Sequence, residues 1–143
     1  MEINQIYTEL IREHSQNKEN KRPLPDKTDS EMGINPSCGD EISLNLQIKD
    51  NVIKDASYEG IGCAISQASS SMMIDIIKGK TIKEALHSST LFLKMIKDDI
   101  KDEDELIELE DAIALQNISK LPARVKCAVL GWHTLEKMLG ENK

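Results

Sequence analysis

The chain carries three cysteines, and each follows a break marked by glycine or proline. Cys38 sits in Asn35-Pro36-Ser37-Cys38-Gly39-Asp40. Cys63 sits in Gly60-Ile61-Gly62-Cys63-Ala64-Ile65-Ser66. Cys127 sits in Leu121-Pro122-Ala123-Arg124-Val125-Lys126-Cys127-Ala128. Three thiols cannot all pair as disulfides. Three thiolates and the Asp40 carboxylate, however, make the four donors that a tetrahedral zinc ion takes. Gly39 lets the backbone turn so that Cys38 and Asp40 can face one ion. Cys63 falls at a loop-to-helix junction and Cys127 in the second turn of a predicted helix. Helix-terminal amides favour the thiolate there, and Arg124 and Lys126 add positive charge near Cys127. Thiolate is the form that binds metal and attacks sulfur. The wide intervals between the cysteines match no compact zinc finger. Burial as small apolar residues is the alternative reading.

The elements that must position these groups follow from periodicity. Ile3, Ile6, Tyr7, Leu10 and Ile11 predict an amphipathic helix over 2–14. Residues 15–27 are polar, hold Pro23 and Pro25, and read as a loop or linker. A short edge strand is expected over 28–33. Ile42, Leu44, Leu46 and Ile48 alternate with Ser43, Asn45 and Gln47, the period of a half-buried strand. Asp50-Asn51 makes the turn of a hairpin whose return strand is Val52 to Glu59. After Cys63 the pattern turns helical, through Ala64, Ile65, Ala68, Met72, Met73, Ile76 and Ile77, with Gly79 at the stop. Thr81-Ile82-Lys83-Glu84 is a capping box opening a further helix. Residues 98–111 are acidic and predict a solvated surface or mobile loop, with Leu106, Leu109 and Ile113 hinting at a short helix. Pro122 suits the first position of a last helix. This order predicts an α+β domain spanning 1–143: a small antiparallel β-sheet with helices packed on one face.

Bulk properties exclude several function classes. The chain has 143 residues, 39% of them hydrophobic and 30% charged, with a formal net charge of −7. That charge argues against non-specific nucleic-acid binding, which needs a basic face. A local basic patch at Lys18, Lys21 and Arg22 has no aromatic stacking platform beside it. No apolar run approaches the ~18 residues of a membrane span, and no signal-peptide core opens the chain. A cytoplasmic protein is expected, where thiols stay reduced and metal or sulfur chemistry prevails over disulfides.

Other candidates are weaker. His14 ends the first predicted helix, where histidine caps carbonyls. His87 is expected on the surface. His133 is an outside candidate for a fourth ligand in place of Asp40. Ser69, Ser70 and Ser71 follow Cys63 on one helix, where small side chains permit close packing; no nucleophile-elbow pattern surrounds them. Gly60 and Gly62 are read as letting the backbone approach a metal, and no phosphate-cradling glycine loop is present.

Together, the three cysteine motifs and Ser69-Ser70-Ser71-Met72 resemble the U-type iron–sulfur assembly family, which includes IscU and the NifU N-terminal domain. The resemblance runs from about residue 3 to 139. Lys126 stands where IscU-type chains have histidine, and the acidic stretch before the last helix resembles the extra segment of the SufU-type branch. The resemblance implies an IscU/NifU-like fold and a zinc-dependent sulfurtransferase. It implies zinc held by Cys38, Asp40, Cys63 and Cys127, with Cys38 as sulfur acceptor. It implies that Arg124 helps the partner dock or steadies the thiolate. The implied partners are a pyridoxal-phosphate cysteine desulfurase of SufS type and downstream iron–sulfur assembly proteins. The alternative is a scaffold that binds iron or an iron–sulfur cluster on the same thiolates. After the first helix, Lys18 and Arg22 replace the proline and glycine that the family pattern carries.

Overall fold

A computed structural model describes residues 3–37, 39–100 and 102–140. Helix α1 (Ile3–Ser15) leads through an irregular segment into strands β1 (Asp29–Asn35), β2 (Asp40–Lys49) and β3 (Val52–Ile61). Helices α2 (Ala64–Ile77), α3 (Ile82–Ile96) and α4 (Glu103–Leu106), a 3-10 segment (Ile107–Lys120) and α5 (Pro122–Gly140) follow. No helix among the described residues is long and apolar enough to cross a membrane.

The sheet is antiparallel in the order β1-β2-β3. Asp50 and Asn51 both adopt positive φ, 54° and 65°, the left-handed pair that a two-residue hairpin needs to match strand twist. The alternation over 42–48 does what it predicts. Ile42, Leu44 and Leu46 are wholly buried, facing the helices, while Glu41 and Ser43 point the other way. Partners in register place Ala56 and Tyr58 on the same inner face. Helices therefore cover one face of the sheet, as expected of the α+β class.

The segment 16–28 is no free linker. Residues 20–22 run along the outer edge of β3, where the Tyr58 amide donates to the Asn20 carbonyl (2.9 Å) and the Arg22 amide to the Tyr58 carbonyl (3.1 Å), and the Thr28 amide donates to the Leu46 carbonyl of β2 (2.8 Å). The capping box forms as read: Thr81 Oγ1 accepts from the Glu84 amide at 3.1 Å, and Glu84 Oε1 from the Thr81 amide at 3.0 Å.

The acidic stretch is exposed over most of 98–105 and turns helical at Glu103–Leu106, but its later part departs from a solvated surface. Leu106, Leu109, Ala112, Leu115 and Ile118 are buried in the common core. The charges between them point outward, so the segment packs as a lobe across α2, α3 and α5. His14 departs too. It does not cap carbonyls; its Nδ1 bonds Ser71 Oγ (2.9 Å) and its Nε2 bonds Asp111 Oδ2 (3.0 Å), fastening this lobe and α1 to α2. The order Asp111–His14–Ser71 is that of a hydrolytic triad, but Ser71 is wholly buried and no substrate could reach it.

Candidate metal centre

Three chain segments end at one place. The turn after β1 delivers Asp40, the first residue of β2 and wholly buried. Gly39 takes φ +70°, so the turn uses the freedom of a residue without Cβ. Glu41 pairs with Ile61 across the sheet, which carries the end of β3 alongside the start of β2. Gly60 permits this at φ +125°, where a Cβ would collide with the Glu41 carbonyl. Gly62 then leaves room for Asp40: a Cβ there would lie 2.9 Å from Oδ1 and would strike Ser66 Oγ. The two glycines thus make room for Asp40 and its strand. Cys63 comes next, as the N-cap of α2. Cys127 comes from α5 and is buried.

A carboxylate oxygen of Asp40 and the sulfurs of Cys63 and Cys127 all lie within 4.8 Å of one another. Among the described residues no other group of three such donors assembles. Cys38, the remaining expected ligand, lies outside the described residues; it is two positions before Asp40 in the chain. His133 is not a donor here. Its ring is exposed and pairs with Glu136 at 3.5 Å, so the alternative that it replaces Asp40 fails. Arg124 lies on the first turn of α5 and is exposed. With Cys63, Ala64, Ile65, Ile118 and Leu121 it lines an open hollow of about 380 Å³ beside the sulfurs.

Electrostatics at the site call for a cation. Asp40 Oδ1 accepts from the Cys63 amide at 3.0 Å, and Oδ2 has a long contact with Asn35 Nδ2 at 3.5 Å. These partners are neutral, and no cationic side chain meets this carboxylate among the described residues. A buried carboxylate without an opposite charge is costly, and a divalent ion supplies that charge. Burial pushes the Cys63 thiol up, but the Ser66 amide, Cys127 and the Ser66 hydroxyl outweigh it, against the Asp40 charge, and the net shift is downward. Two sulfurs and one carboxylate oxygen form a donor set that zinc accepts. The residues present fit that ion.

Sequence reasoning missed the groups that hold the ligands in place. Gln67 Nε2 donates to the Gly62 carbonyl (2.8 Å), and Lys21 Nζ donates to Gln67 Oε1 (2.8 Å). Ser66 Oγ donates to the Cys63 carbonyl (3.1 Å). Ser69 Oγ donates to the Ala128 carbonyl (2.5 Å) and accepts from Trp132 Nε1 (3.0 Å), which locks α2 to α5 next to Cys127. Ser66 and Gln67 lie three and four positions after Cys63, a helical spacing that was available as a signal. The Lys21 contact spans too much sequence to leave one.

Residues 6–141 match the NifU-like N terminal domain family. The chain belongs to that family. It is 44% identical over 94% of its length to the zinc-dependent sulfurtransferase SufU of Bacillus subtilis, covering 90% of that protein. It is 40% identical over 97% of its length to the iron–sulfur cluster assembly scaffold protein IscU of Thermotoga maritima, covering 96% of it. Among solved structures it resembles a candidate scaffold protein for the SUF system from Fervidobacterium islandicum. The TM-score is 0.86 at 38% identity, over 95% of this chain and 98% of that one. The NifU-like fold expected from the cysteine motifs is therefore the fold observed.

Proposed function

We infer that this chain, acting as one domain, is a zinc-dependent sulfurtransferase of iron–sulfur cluster assembly, accepting sulfur from a cysteine desulfurase. The observation that carries the reading is the meeting of Asp40, Cys63 and Cys127, whose donor atoms lie within 4.8 Å of one another around a buried carboxylate with no cation among the described residues. The 44% identity with the Bacillus subtilis SufU supports it. Asp40, Cys63 and Cys127 hold the ion, and Cys38 completes the set. Zinc, when bound, keeps its ligand thiols deprotonated and ties three distant segments together.

Cys38 is the acceptor. Its thiolate attacks the outer sulfur of the persulfide on the desulfurase. The sulfur–sulfur bond of the donor breaks and a new one forms on Cys38. The donor cysteine leaves as thiolate, and the hydrogen on the outer sulfur moves with that sulfur. No external oxidant or reductant enters. A thiolate shared with a cation is a poor nucleophile, so Cys38 would have to be free of the ion to attack, with Asp40, Cys63 and Cys127 the residues that would keep hold of it. Arg124, which lines the same hollow as Cys63, steadies thiolate charge and meets the partner. The donor is a pyridoxal-phosphate desulfurase of SufS type, the recipients are downstream iron–sulfur assembly proteins, and the setting is the cytoplasm.

Mixing the chain with desulfurase and L-cysteine, then weighing its peptides by mass spectrometry, tests this. One added sulfur on the Cys38 peptide is expected. Equal sulfur uptake by Cys38→Ala would overturn the assignment. A parent chain that binds zinc but leaves desulfurase turnover unaltered would be a plain zinc-stabilised interaction module. The identity with the Thermotoga maritima IscU favours a second reading, a cluster scaffold. Anaerobic reconstitution with iron and sulfide separates the two: a stable cluster chromophore belongs to the scaffold.

A further inference from the structure

The chain is acidic overall, with 25 Asp and Glu against 18 Lys and Arg, yet three cations gather near the donor site. Lys18, Lys21 and Arg22, with Pro23, Glu59 and Gly60, line an open hollow of about 440 Å³. It forms where the segment after α1 crosses the outer edge of β3, two residues before the Gly62-Cys63 turn. Lys18 is exposed and makes no ion pair or side-chain hydrogen bond among the described residues, so its charge faces solvent. Arg22 is fixed by Asp55 (2.9 Å) and the Glu19 carbonyl (2.9 Å). Glu59, the one acid in the lining, is engaged by Asn45 Nδ2 at 3.1 Å and lies on the outer face of the sheet. Lys21 joins the hollow to the site through Gln67 and the Gly62 carbonyl. Beyond it on the outer face, Ile61 and Ile34 flank Glu41 in one cross-strand row and are 64% and 58% exposed.

We propose that the Lys18–Lys21–Arg22 hollow receives an acidic segment of the desulfurase and so steers that enzyme onto the Cys63 side of the site. The proposal rests on the sulfur-acceptor reading above. Charge complementarity selects the occupant: a cationic hollow attracts an acidic segment, whereas two whole copies of this chain, each with a net charge of −7, repel one another. Exposed apolar side chains next to a charged rim are the composition of a protein interface. Nucleic acid is disfavoured by the net charge of −7 and by a lining without an aromatic residue. A carboxylate that draws Lys21 away from Gln67 would loosen the Gly62 carbonyl, which couples docking to the turn bearing Cys63.

Calorimetric titration of the zinc-loaded chain with the cysteine desulfurase, at low and at physiological salt, tests the proposal. Lys18→Glu is expected to weaken binding about three- to tenfold at low salt, and Lys18→Glu/Lys21→Glu more, both with a flatter salt dependence than the parent. Lys18→Arg is expected to bind as the parent does. Lys18→Glu touches no described hydrogen bond, so it reports on charge even if the double variant folds poorly. Parental affinity and parental salt dependence in Lys18→Glu would overturn the proposal. So would tight binding of a single-stranded RNA that Lys18→Glu abolishes while desulfurase binding stays intact. A parent chain that takes no sulfur from the desulfurase fails differently: it sinks the reading under which this surface was assigned.

Discussion

Asp40 shows what one residue does at this site. Its carboxylate is wholly buried, one oxygen holds the Cys63 amide, and its described partners are neutral. Asp40→Ala removes a donor and frees the Cys63 turn together. Zinc affinity is expected to fall at least about tenfold, measured by chelator competition. Parental affinity in that variant would reduce Asp40 to a loop acceptor. Asp55 offers a pH test away from the metal. Partial burial pushes its carboxyl up, but the Ala56 amide, Arg22 and Lys78 outweigh this and hold it below its usual 3.8. A carboxyl depressed in the folded state contributes stability that is present above the unfolded value and lost as pH falls through the folded one. Asp55→Asn should therefore lower stability at neutral pH, by under about 1 kcal/mol since the pair is partly exposed. The gap from the parent should close as pH falls below the usual 3.8 and through the lower folded value. Denaturant melts across that range check it, and a pH-independent gap would contradict it. At this scale the sequence was informative about ligands and silent about their supports. Cysteine and aspartate announce chemistry by type, whereas Asn35, Gln67 and Lys21 matter through where distant backbone puts them.

Elements were legible where one face of the chain differs from the other. The strict alternation of 42–48 and the Thr81–Glu84 box each encode structure locally, and both formed as read. The acidic segment was legible in part: its first residues are exposed as its charges suggest, but Leu106 and Leu109 bury against the core and Leu115 and Ile118 continue that buried row. Its path also defies a single period, since Glu110 breaks the 3-10 run at φ 49°. What fastens this lobe is long-range: Asp111 to His14 and His14 to Ser71, whose carbonyl and hydroxyl also accept from Asn20 Nδ2 (both 3.0 Å). His14→Ala strips a buried hydroxyl of one partner and Asp111 of its own. A loss of about 2 kcal/mol in thermal or denaturant melts is expected. A change within about 0.5 kcal/mol would show that apolar packing alone seats the lobe.

At the scale of the molecule, the metal site is also a fold joint. Asp40 belongs to the sheet, Cys63 to the start of α2 and Cys127 to α5, so an ion held by all three links both layers. Stripping zinc with a chelator is expected to lower the melting temperature, with recovery when zinc is returned, because an ion bound by the folded state alone stabilises it by mass action. An unchanged melting temperature would mean that the segments are held together without the ion. The convergence itself was the least legible feature, because no local pattern states which remote loops will meet. The most direct measurement is X-ray absorption at the zinc edge of the purified protein. Three sulfurs and one oxygen or nitrogen at tetrahedral distances of about 2.3 and 2.0 Å are expected, falling to two sulfurs in Cys63→Ser. A parent spectrum with no sulfur, or one that Cys63→Ser and Cys127→Ser leave unaltered, would contradict the account.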